Sequence, residues 1–289
     1  METMKNCKKF VHENYIEQEA HRSRVYYYLD RYMSDNIYEI EDLPKYNQSV
    51  VEGKTIWMLW WQGQENMPAL AKKCYESVLR NCPEDFSVIL LSESSFEEYI
   101  RLPDYIMQKY REGKISITHL SDLIRLELLC TYGGAWIDAT IFCCGKIPRY
   151  MLETELFFFH GSRMDIPVLK LSSWWIAAQK HDRVIQAARS VLHHYWKAED
   201  SIIDYFIIHI TISKIIDEDQ ASDRLFRDMP YFNNSNAHVL VSMLYEEFTQ
   251  ERYQMIKTAS LIQKLTYKPY LEKEGKGTFY DAILNDATE

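Results

Sequence analysis

The 289-residue sequence contains little glycine or proline and lacks a long apolar run. Its 9 glycines and 8 prolines are too few to suggest a long linker, so we expect one compact body. It contains no stretch of about 18 uncharged apolar residues, and we therefore predict no membrane-spanning segment. The first ten residues include lysines but no apolar segment after them, which argues against a signal peptide. We therefore expect a cytoplasmic protein.

The motifs of several large enzyme classes are missing as well. The sequence has no G-x-x-x-x-G-K phosphate loop, no G-x-G-x-x-G dinucleotide motif, no G-x-S-x-G nucleophile elbow and no H-E-x-x-H zinc motif. Phosphate-loop NTPases, dinucleotide oxidoreductases, serine hydrolases and zinc proteases are therefore disfavoured. The six cysteines form no C-x-x-C pair and have no zinc-ligand spacing with histidine, so we expect reduced thiols.

Acidic residues outnumber basic ones, 42 against 33, and the formal net charge is −9. A nucleic-acid partner is not expected, because binding to phosphates needs a basic field. Basic residues do cluster near the N-terminus. Such a cluster either forms a solvated helix face or contacts an anionic membrane surface, and both interpretations stay open. The cluster comprises Lys5, Lys8, Lys9, His21, Arg22 and Arg24.

The pattern of apolar residues predicts an α/β protein. Residues 1 to about 50 have helical spacing and end in a loop around Pro44, which predicts a helical N-terminal arm (1–50) on a main domain (51–289). The main domain begins with alternating strands and helices, which indicates a mixed, largely parallel sheet flanked by helices. Strands are predicted over 55–61, 86–91 and 156–159, and helices over 69–80, 96–110, 174–180, 183–196, 201–217 and 242–253.

The most informative segment runs from residue 118 to residue 142. Its first half has helical spacing, with Asp122 and Arg125 as neighbours on the helix, and it ends at Gly133 and Gly134. The second half alternates as a strand does, which places Asp138 and Thr140 on the same face. A carboxylate inside an apolar strand is costly to bury unpaired, so Asp138 is expected to be paired or functional.

The motifs S-D-L-I-R (121–125) and Y-G-G-A-W-I-D-A-T (132–140) resemble the S-D-x-x-R and G-G-x-x-x-D-x-D regions of sugar transferases. This group includes α-1,6-mannosyltransferases and clostridial glucosylating toxins. The G-G-x-W-x-D-A-T variant is most similar to the bacterial capsular polysaccharide synthesis glycosyltransferases. Three further segments, 56–63, 172–177 and 264–268, are similar to the same family. The resemblance covers about residues 54 to 268.

This resemblance implies a GT-A-like, Rossmann-type fold and retaining transfer of a hexose. The donor would be a nucleotide-sugar, with UDP favoured by kinship, and the acceptor a lipid-linked or soluble glycan in capsule or surface polysaccharide synthesis. By analogy, Trp60 would stack on the base and Lys264 would help to neutralise the diphosphate. Asp138 and Asp204 are the candidate catalytic carboxylates. The candidate donor-binding residues are Trp60, Gln62, Asp122, Arg125, Asp138, Ser173 and Lys264.

The sequence departs from the D-x-D pattern at one position, where Thr140 replaces the second Asp. In the relatives that carboxylate binds Mn²⁺ or Mg²⁺, and a hydroxyl is a weaker ligand for such a cation. The resemblance therefore implies a divalent ion held by Asp138, with Thr140 or water completing its ligands.

Each assignment has a simpler structural alternative. Asp122 and Arg125 could form an ordinary surface pair, and Trp60 could be a core residue. Trp174 and Trp175 are more typical of a core than of an acceptor platform, and Ser173 precedes them at the start of a predicted helix. Two other functions also stay open. One is a sugar-nucleotide-binding module without transferase activity, and the other is a toxin-like transferase that modifies a protein.

Overall fold

The fold is described from a computed structural model, which covers residues 2–39, 54–161, 169–268 and 276–288. The strands in chain order, β1 to β7, are Lys54–Leu59, Phe86–Leu91, Gly134–Ile137, Ile141–Cys143, Leu156–His160, Leu171–Ala178 and Ile262–Lys264. The helices in chain order, α1 to α12, are Glu2–Leu29, Ala69–Asn81, Asp104–Arg111, Ile117–Tyr132, Tyr150–Glu153, Arg183–Ala198, Ile207–Glu218, Gln220–Asp228, Asn234–Ala237, Val239–Ser242, Gln250–Ala259 and Phe279–Leu284.

A five-stranded sheet in the order β2-β1-β3-β6-β5 forms the centre of the structure. Strand β1 pairs in parallel with β2 and β3, whereas β6 is antiparallel to both β3 and β5. Four of its strands therefore run in one direction and β6 runs in the other. Strands β4 and β7 form a separate antiparallel pair. The predicted mixed, largely parallel α/β sheet is confirmed.

Apolar side chains cover both faces of the central sheet. One core contains Trp57 and Trp136 together with the buried faces of α4, α6 and α7. The opposite face of the sheet buries alternate residues of the same strands, including Ile56 and Ala135. A third cluster lies around α11 and α12 and includes Tyr253 and Phe279. The sheet is therefore a rigid layer whose strand ends are fixed by packing on both sides.

Helix α1 packs on α7, and its residues Val25 and Leu29 are buried in the same core as α4 and α6. The predicted helical character of this segment is confirmed over Glu2–Leu29. The predicted loop around Pro44 lies outside the described residues. The boundary between an arm and a main domain near residue 50 stays a prediction.

Four predictions of helices are wrong. The helix predicted over 96–110 is a 3-10 helix over Phe96–Glu98 followed by α3, because Pro103 disfavours the helical conformation in the residue before it. Residues 174–178 belong to β6 rather than to a helix, because a central strand buried on both faces is an apolar run without period-two alternation. Residues 201–206 precede α7 and are not helical. The helix predicted over 242–253 is divided into α10 and α11.

The strand predicted through Asp138 is also interrupted. Strand β3 ends at Ile137, and a turn follows in which the amide of Ile141 donates to the carbonyl of Asp138 at 3.0 Å. The chain then enters β4 and pairs with β7 instead of with the central sheet. The turn moves Asp138 and Thr140 out of the sheet to a strand end, where polar side chains can reach a ligand.

Candidate active site

Two glycines connect α4 to β3 and set the position of the site. Gly133 ends α4 with φ +72°, and its amide donates to the carbonyl of Leu129. Gly134 has φ +93°, and a Cβ there would lie 2.4 Å from the carbonyl oxygen of Thr55 on β1. Only glycine allows this approach, which brings β3 beside β1. Because the two strands are parallel, their carboxyl ends share one edge of the sheet.

Arg125 is buried on α4, 4% exposed, and its guanidinium joins three parts of the chain. Nη1 donates to the backbone carbonyl of Ser173 on β6. Nη2 lies 3.1 Å from Oδ1 of Asp122 and 3.5 Å from Oδ1 of Asp138. The guanidinium also lies 4.8 Å from the ring centre of Trp136. The alternative of an ordinary surface pair is therefore wrong, since Asp122 is only 6% exposed.

Asp138 follows the last residue of β3, and its side chain is 26% exposed. The indole nitrogen of Trp136 donates to Oδ1 at 2.9 Å, and Nζ of Lys264 lies 2.8 Å from Oδ2. Burial alone would raise the pKa of Asp138. The charges of Lys264 and Arg125 outweigh burial, so the pKa lies below its ordinary value and the group is a carboxylate at neutral pH.

Lys264 reaches the site from β7. It is paired with Ile141 across the β4–β7 ladder, and the amide of Leu265 donates to the carbonyl of Thr140 at 2.9 Å. The ammonium donates to Oδ2 of Asp138 at 2.8 Å and to Oγ1 of Thr140 at 2.6 Å. Asp138 and Thr140 thus converge on one group, as their spacing predicted, although a turn rather than a strand brings them together.

These residues border a cleft of about 500 Å³ at the carboxyl ends of β1 and β3. That volume lies within the range of small-molecule sites. Trp60 and Gln62 line it on the β1 side, and the Trp60 ring packs edge-on against Tyr267 at 5.2 Å. Trp60 is half-buried, so part of its ring is available to a ligand. Its role in stacking stays a prediction.

The cleft has a positive charge balance in a chain of net charge −9. Its described lining includes the cations Arg125, Lys264 and Lys268, with Asp138 as the carboxylate among them. Cationic side chains at the end of a sheet suit a ligand with phosphate groups. Other clefts of similar volume also contain charged side chains, but their described lining residues include no tryptophan.

Ser173 lies in a different element from the one that the sequence predicted. Ser173 lies within β6 and is 6% exposed, so it is not at the start of a helix. Its carbonyl accepts from Arg125, and its amide donates to Nε2 of His209 at 3.2 Å. The main chain of Ser173 therefore positions Arg125. Contact between its hydroxyl and a donor stays a prediction. Trp174 and Trp175 are buried, as the core interpretation predicted.

Asp204 lies in the segment before α7 and is paired. Its Oδ2 lies 2.6 Å from Nε2 of His21 on α1, and its Oδ1 accepts from the amide of Phe206 at 2.6 Å. Its neighbour Tyr205 lines the cleft, but Asp204 is not among the described lining residues. These contacts give Asp204 a structural role in joining α1 to α7. A catalytic role for it stays a prediction.

His209 and Tyr267 were not identified from the sequence. Burial lowers the pKa of His209 to about 4, so the ring is neutral at pH 7 and can accept the bond from Ser173. A polar residue in the apolar run I-I-H-I (207–210) was a usable signal. Tyr267 had no such signal, because its contact with Trp60 joins residues that are distant in sequence.

The arrangement is a poor fit for the divalent cation that the resemblance implies. Within the described ranges, no group of three or more His, Cys, Asp or Glu side chains could hold a metal ion. Lys264 already lies against both Asp138 and Thr140. A divalent ion prefers several oxygen ligands and would be repelled by an adjacent ammonium. The residues as arranged do not fit Mn²⁺ or Mg²⁺, and a metal requirement stays a prediction.

Part of the N-terminal basic cluster is engaged within the fold. His21 contacts Asp204, and Arg22 contacts Glu19 and lies 3.7 Å from Asp217.

Across the part of the chain that the structure describes, no helix is long and apolar enough to cross a bilayer.

A family model described as capsular polysaccharide synthesis protein matches residues 5–283. The chain therefore belongs to the capsular polysaccharide synthesis protein family, as the motifs indicated. The match extends beyond the span from 54 to 268 that the motifs covered and includes most of the N-terminal helix.

The chain is also similar to fungal proteins named as glycosyltransferases. The O-glycosyltransferase PaGT of Phomopsis amygdali is 23% identical over 165 residues, which cover 51% of this chain and 40% of PaGT. The O-glycosyltransferase braB of Annulohypoxylon truncatum is 32% identical over 101 residues, which cover 32% of this chain and 24% of braB. The matched segments thus span less than half the length of these curated relatives.

Among solved structures, the chain has a distant likeness to the PaToxG glycosyltransferase. The TM-score is 0.39 and the sequence identity is 13%, and the match covers 73% of this chain and 85% of that chain.

Proposed function

We propose that this protein is a retaining glycosyltransferase that moves a hexose from a nucleotide-sugar donor to a glycan acceptor. The observation that carries the proposal is the cleft in which Trp60, Arg125, Asp138 and Lys264 meet at the carboxyl ends of β1 and β3. Membership of the capsular polysaccharide synthesis family and the names of the fungal relatives support it.

The donor's parts match the groups around the cleft. The base would stack on the exposed part of Trp60, as bases do on aromatic faces, with Gln62 at the same rim. Lys264 would face the diphosphate, and Arg125 and Asp138 would hold the sugar or ribose hydroxyls. Asp122 acts through Arg125, whose orientation it sets at 3.1 Å. We favour UDP as the nucleotide.

In the proposed reaction, the acceptor hydroxyl attacks the anomeric carbon on the face from which the diphosphate leaves. The new bond forms between the acceptor oxygen and that carbon, while the bond from the carbon to the phosphate oxygen breaks. The nucleoside diphosphate leaves with the electron pair and takes up the proton of the acceptor hydroxyl. Electrostatic stabilisation of the leaving diphosphate by the cationic wall of the cleft is the main catalytic contribution.

We propose a lipid-linked oligosaccharide as the acceptor, and the family description supports a role in capsular polysaccharide synthesis. Such an acceptor requires access to the inner face of a membrane, and we propose peripheral contact by a cytoplasmic enzyme. A nucleotide-sugar-binding module without transferase activity is the second candidate, because Thr140 replaces a carboxylate of the D-x-D pattern.

A thermal-shift panel of UDP-, GDP- and CMP-sugars, each with and without Mn²⁺, tests donor binding, because a ligand of the native state raises the melting temperature. Transfer is then measured with the stabilising donor and a lipid-linked or soluble glycan. Stabilisation with turnover supports the transferase, and stabilisation without turnover supports the inactive module. No stabilisation by any donor contradicts both.

Two asparagine variants test the carboxylates. We expect Asp138→Asn to abolish transfer and to leave the fold intact, because the amide cannot retain the charge that pairs with Lys264. Asp204→Asn should lower transfer much less, because an amide oxygen can still accept from Phe206. Equal losses would assign Asp204 to the reaction, and full turnover of Asp138→Asn would remove Asp138 from the site.

A further inference from the structure

We propose that the ammonium of Lys264 takes the place of the divalent cation at this site, so that donor binding and transfer need no metal. The inference rests on the proposed function for its diphosphate ligand. Its structural part, that Asp138 and Thr140 both contact the ammonium of Lys264, stands on the geometry alone.

The Nζ atom of Lys264 lies against both Asp138 and Thr140. It lies 2.8 Å from Oδ2 of Asp138 and 2.6 Å from Oγ1 of Thr140, so it occupies the point on which the two residues of the D-x-T sequence converge. An ammonium donates to both oxygens without needing a second carboxylate. These two bonds use two of its three donors, and the third can serve a phosphate oxygen in the cleft that Lys264 lines.

The negative charge of Asp138 is already compensated by neighbouring side chains. This carboxylate already faces two cations, with Lys264 at 2.8 Å and Arg125 at 3.5 Å. Arg125 is also paired with Asp122 at 3.1 Å, so two carboxylates already balance the two cations, and an added divalent ion would bring uncompensated positive charge. One ammonium beside one carboxylate needs no further acidic ligand, which explains how a threonine can stand at position 140.

Backbone pairing holds Lys264 in place. Its strand β7 pairs with β4 directly after the turn that carries Asp138 and Thr140. The bond from the amide of Leu265 to the carbonyl of Thr140 fixes the register at the lysine. The side chain is therefore directed to Asp138 by two strands, as a preorganised charge should be.

Two binding measurements test the proposal on the full chain. Binding of Mn²⁺ alone is followed by electron paramagnetic resonance, and binding of UDP is followed by calorimetry in EDTA and in Mn²⁺. The variants are Lys264→Ala, the double variant Thr140→Asp with Lys264→Ala, and Lys72→Ala. Lys72 is an exposed lysine of α2 that is not among the described residues lining the cleft, and it serves as the control.

We expect the wild type and Lys72→Ala to bind UDP equally in EDTA and in Mn²⁺, and to bind no Mn²⁺ on their own. Lys264→Ala should lose roughly 10- to 100-fold in UDP affinity in EDTA, the effect of one charge-assisted hydrogen bond. The double variant restores two carboxylates, and it should bind Mn²⁺ and recover UDP affinity only with that ion.

Stoichiometric Mn²⁺ binding by the wild type, or loss of its UDP binding in EDTA, would overturn the proposal. If UDP binds under no condition, the assignment of the donor fails while the Mn²⁺ titration still decides the role of Lys264. In that case, absence of Mn²⁺ binding in the wild type together with binding in the double variant supports the lysine. Mn²⁺ binding by the wild type refutes it.

Discussion

Arg125 donates a hydrogen bond from Nη1 to the backbone carbonyl of Ser173, 48 residues later in the chain. The bond ties the middle of α4 to the central strand β6 and leaves Nη2 for the carboxylates of Asp122 and Asp138. One side chain thus couples the helix, the sheet and the strand end where the proposed donor binds.

Replacing Arg125 should therefore affect both stability and activity. Arg125→Ala leaves two carboxylates without their shared partner and should cost about 3–5 kcal/mol in the free energy of unfolding. Arg125→Lys retains the charge but not the planar fork, so we expect a smaller loss of stability with transfer still strongly reduced. Urea unfolding and initial rates measure the two effects. A loss below about 1 kcal/mol for Arg125→Ala would contradict the role assigned to its contacts.

Trp60 provides a test of base stacking. Trp60→Ala should weaken nucleotide binding by about 1–3 kcal/mol, which is roughly 5- to 150-fold, while Trp60→Phe retains most of the affinity. Calorimetry with the nucleoside diphosphate measures the change. Tyr27→Ala removes an exposed ring on α1 and serves as the control, with no expected change in affinity. Equal affinities of Trp60→Ala and the wild type would rule out stacking on this residue.

Gly134 and Gly113 both have positive φ, of +93° and +74°, but differ in the space around them. A Cβ at position 134 would lie 2.4 Å from the Thr55 carbonyl oxygen, and one at 113 has nothing within 4 Å. Gly113→Ala should cost about 1–2 kcal/mol for backbone strain alone. Gly134→Ala adds the clash with β1 and should cost about 2–5 kcal/mol. Denaturant unfolding compares the two, and equal losses would show that β3 can move away from β1.

His209 predicts a pH dependence of stability. Burial lowers its pKa to about 4 from an ordinary 6.5, although the carboxylates of Asp122, Asp138 and Asp204 oppose the shift. As the pH falls from 6.5 to 4, the unfolded chain gains a proton on this residue and the folded chain does not. The neutral His209 ring therefore contributes fully to the free energy of unfolding above pH 6.5. This contribution is lost as the pH falls towards 4, by up to about 1.4 kcal/mol per pH unit.

The variant His209→Gln isolates this contribution, because an amide oxygen can still accept from the amide of Ser173. Unfolding free energies of both proteins are compared at pH 7 and pH 4.5. We expect the wild type to lose about 2 kcal/mol more than the variant over this interval. Identical losses would mean that His209 titrates normally in the folded protein.

The sequence predicted the elements that local chemistry controls. Helix α2 and strand β2 were predicted within one residue at either end, because a regular apolar period shows in a single segment. Gly133 and Gly134 predicted the end of α4 for a different local reason, because glycine accepts the left-handed conformation that ends a helix. The sequence predicts a helix over 174–180 where β6 lies, since residues buried on both faces of a sheet show no alternation.

The sequence by itself determined which residue types are available for the site, including the carboxylates, the guanidinium, the lysine and the tryptophan, and it placed Asp122 beside Arg125. Only the tertiary structure decided that Lys264 meets Asp138 and Thr140, and that the main chain of Ser173 holds Arg125. The physical reason is that these contacts join positions 126 and 48 residues apart. Strand pairing and packing bring such positions together, and no local period in the chain records them.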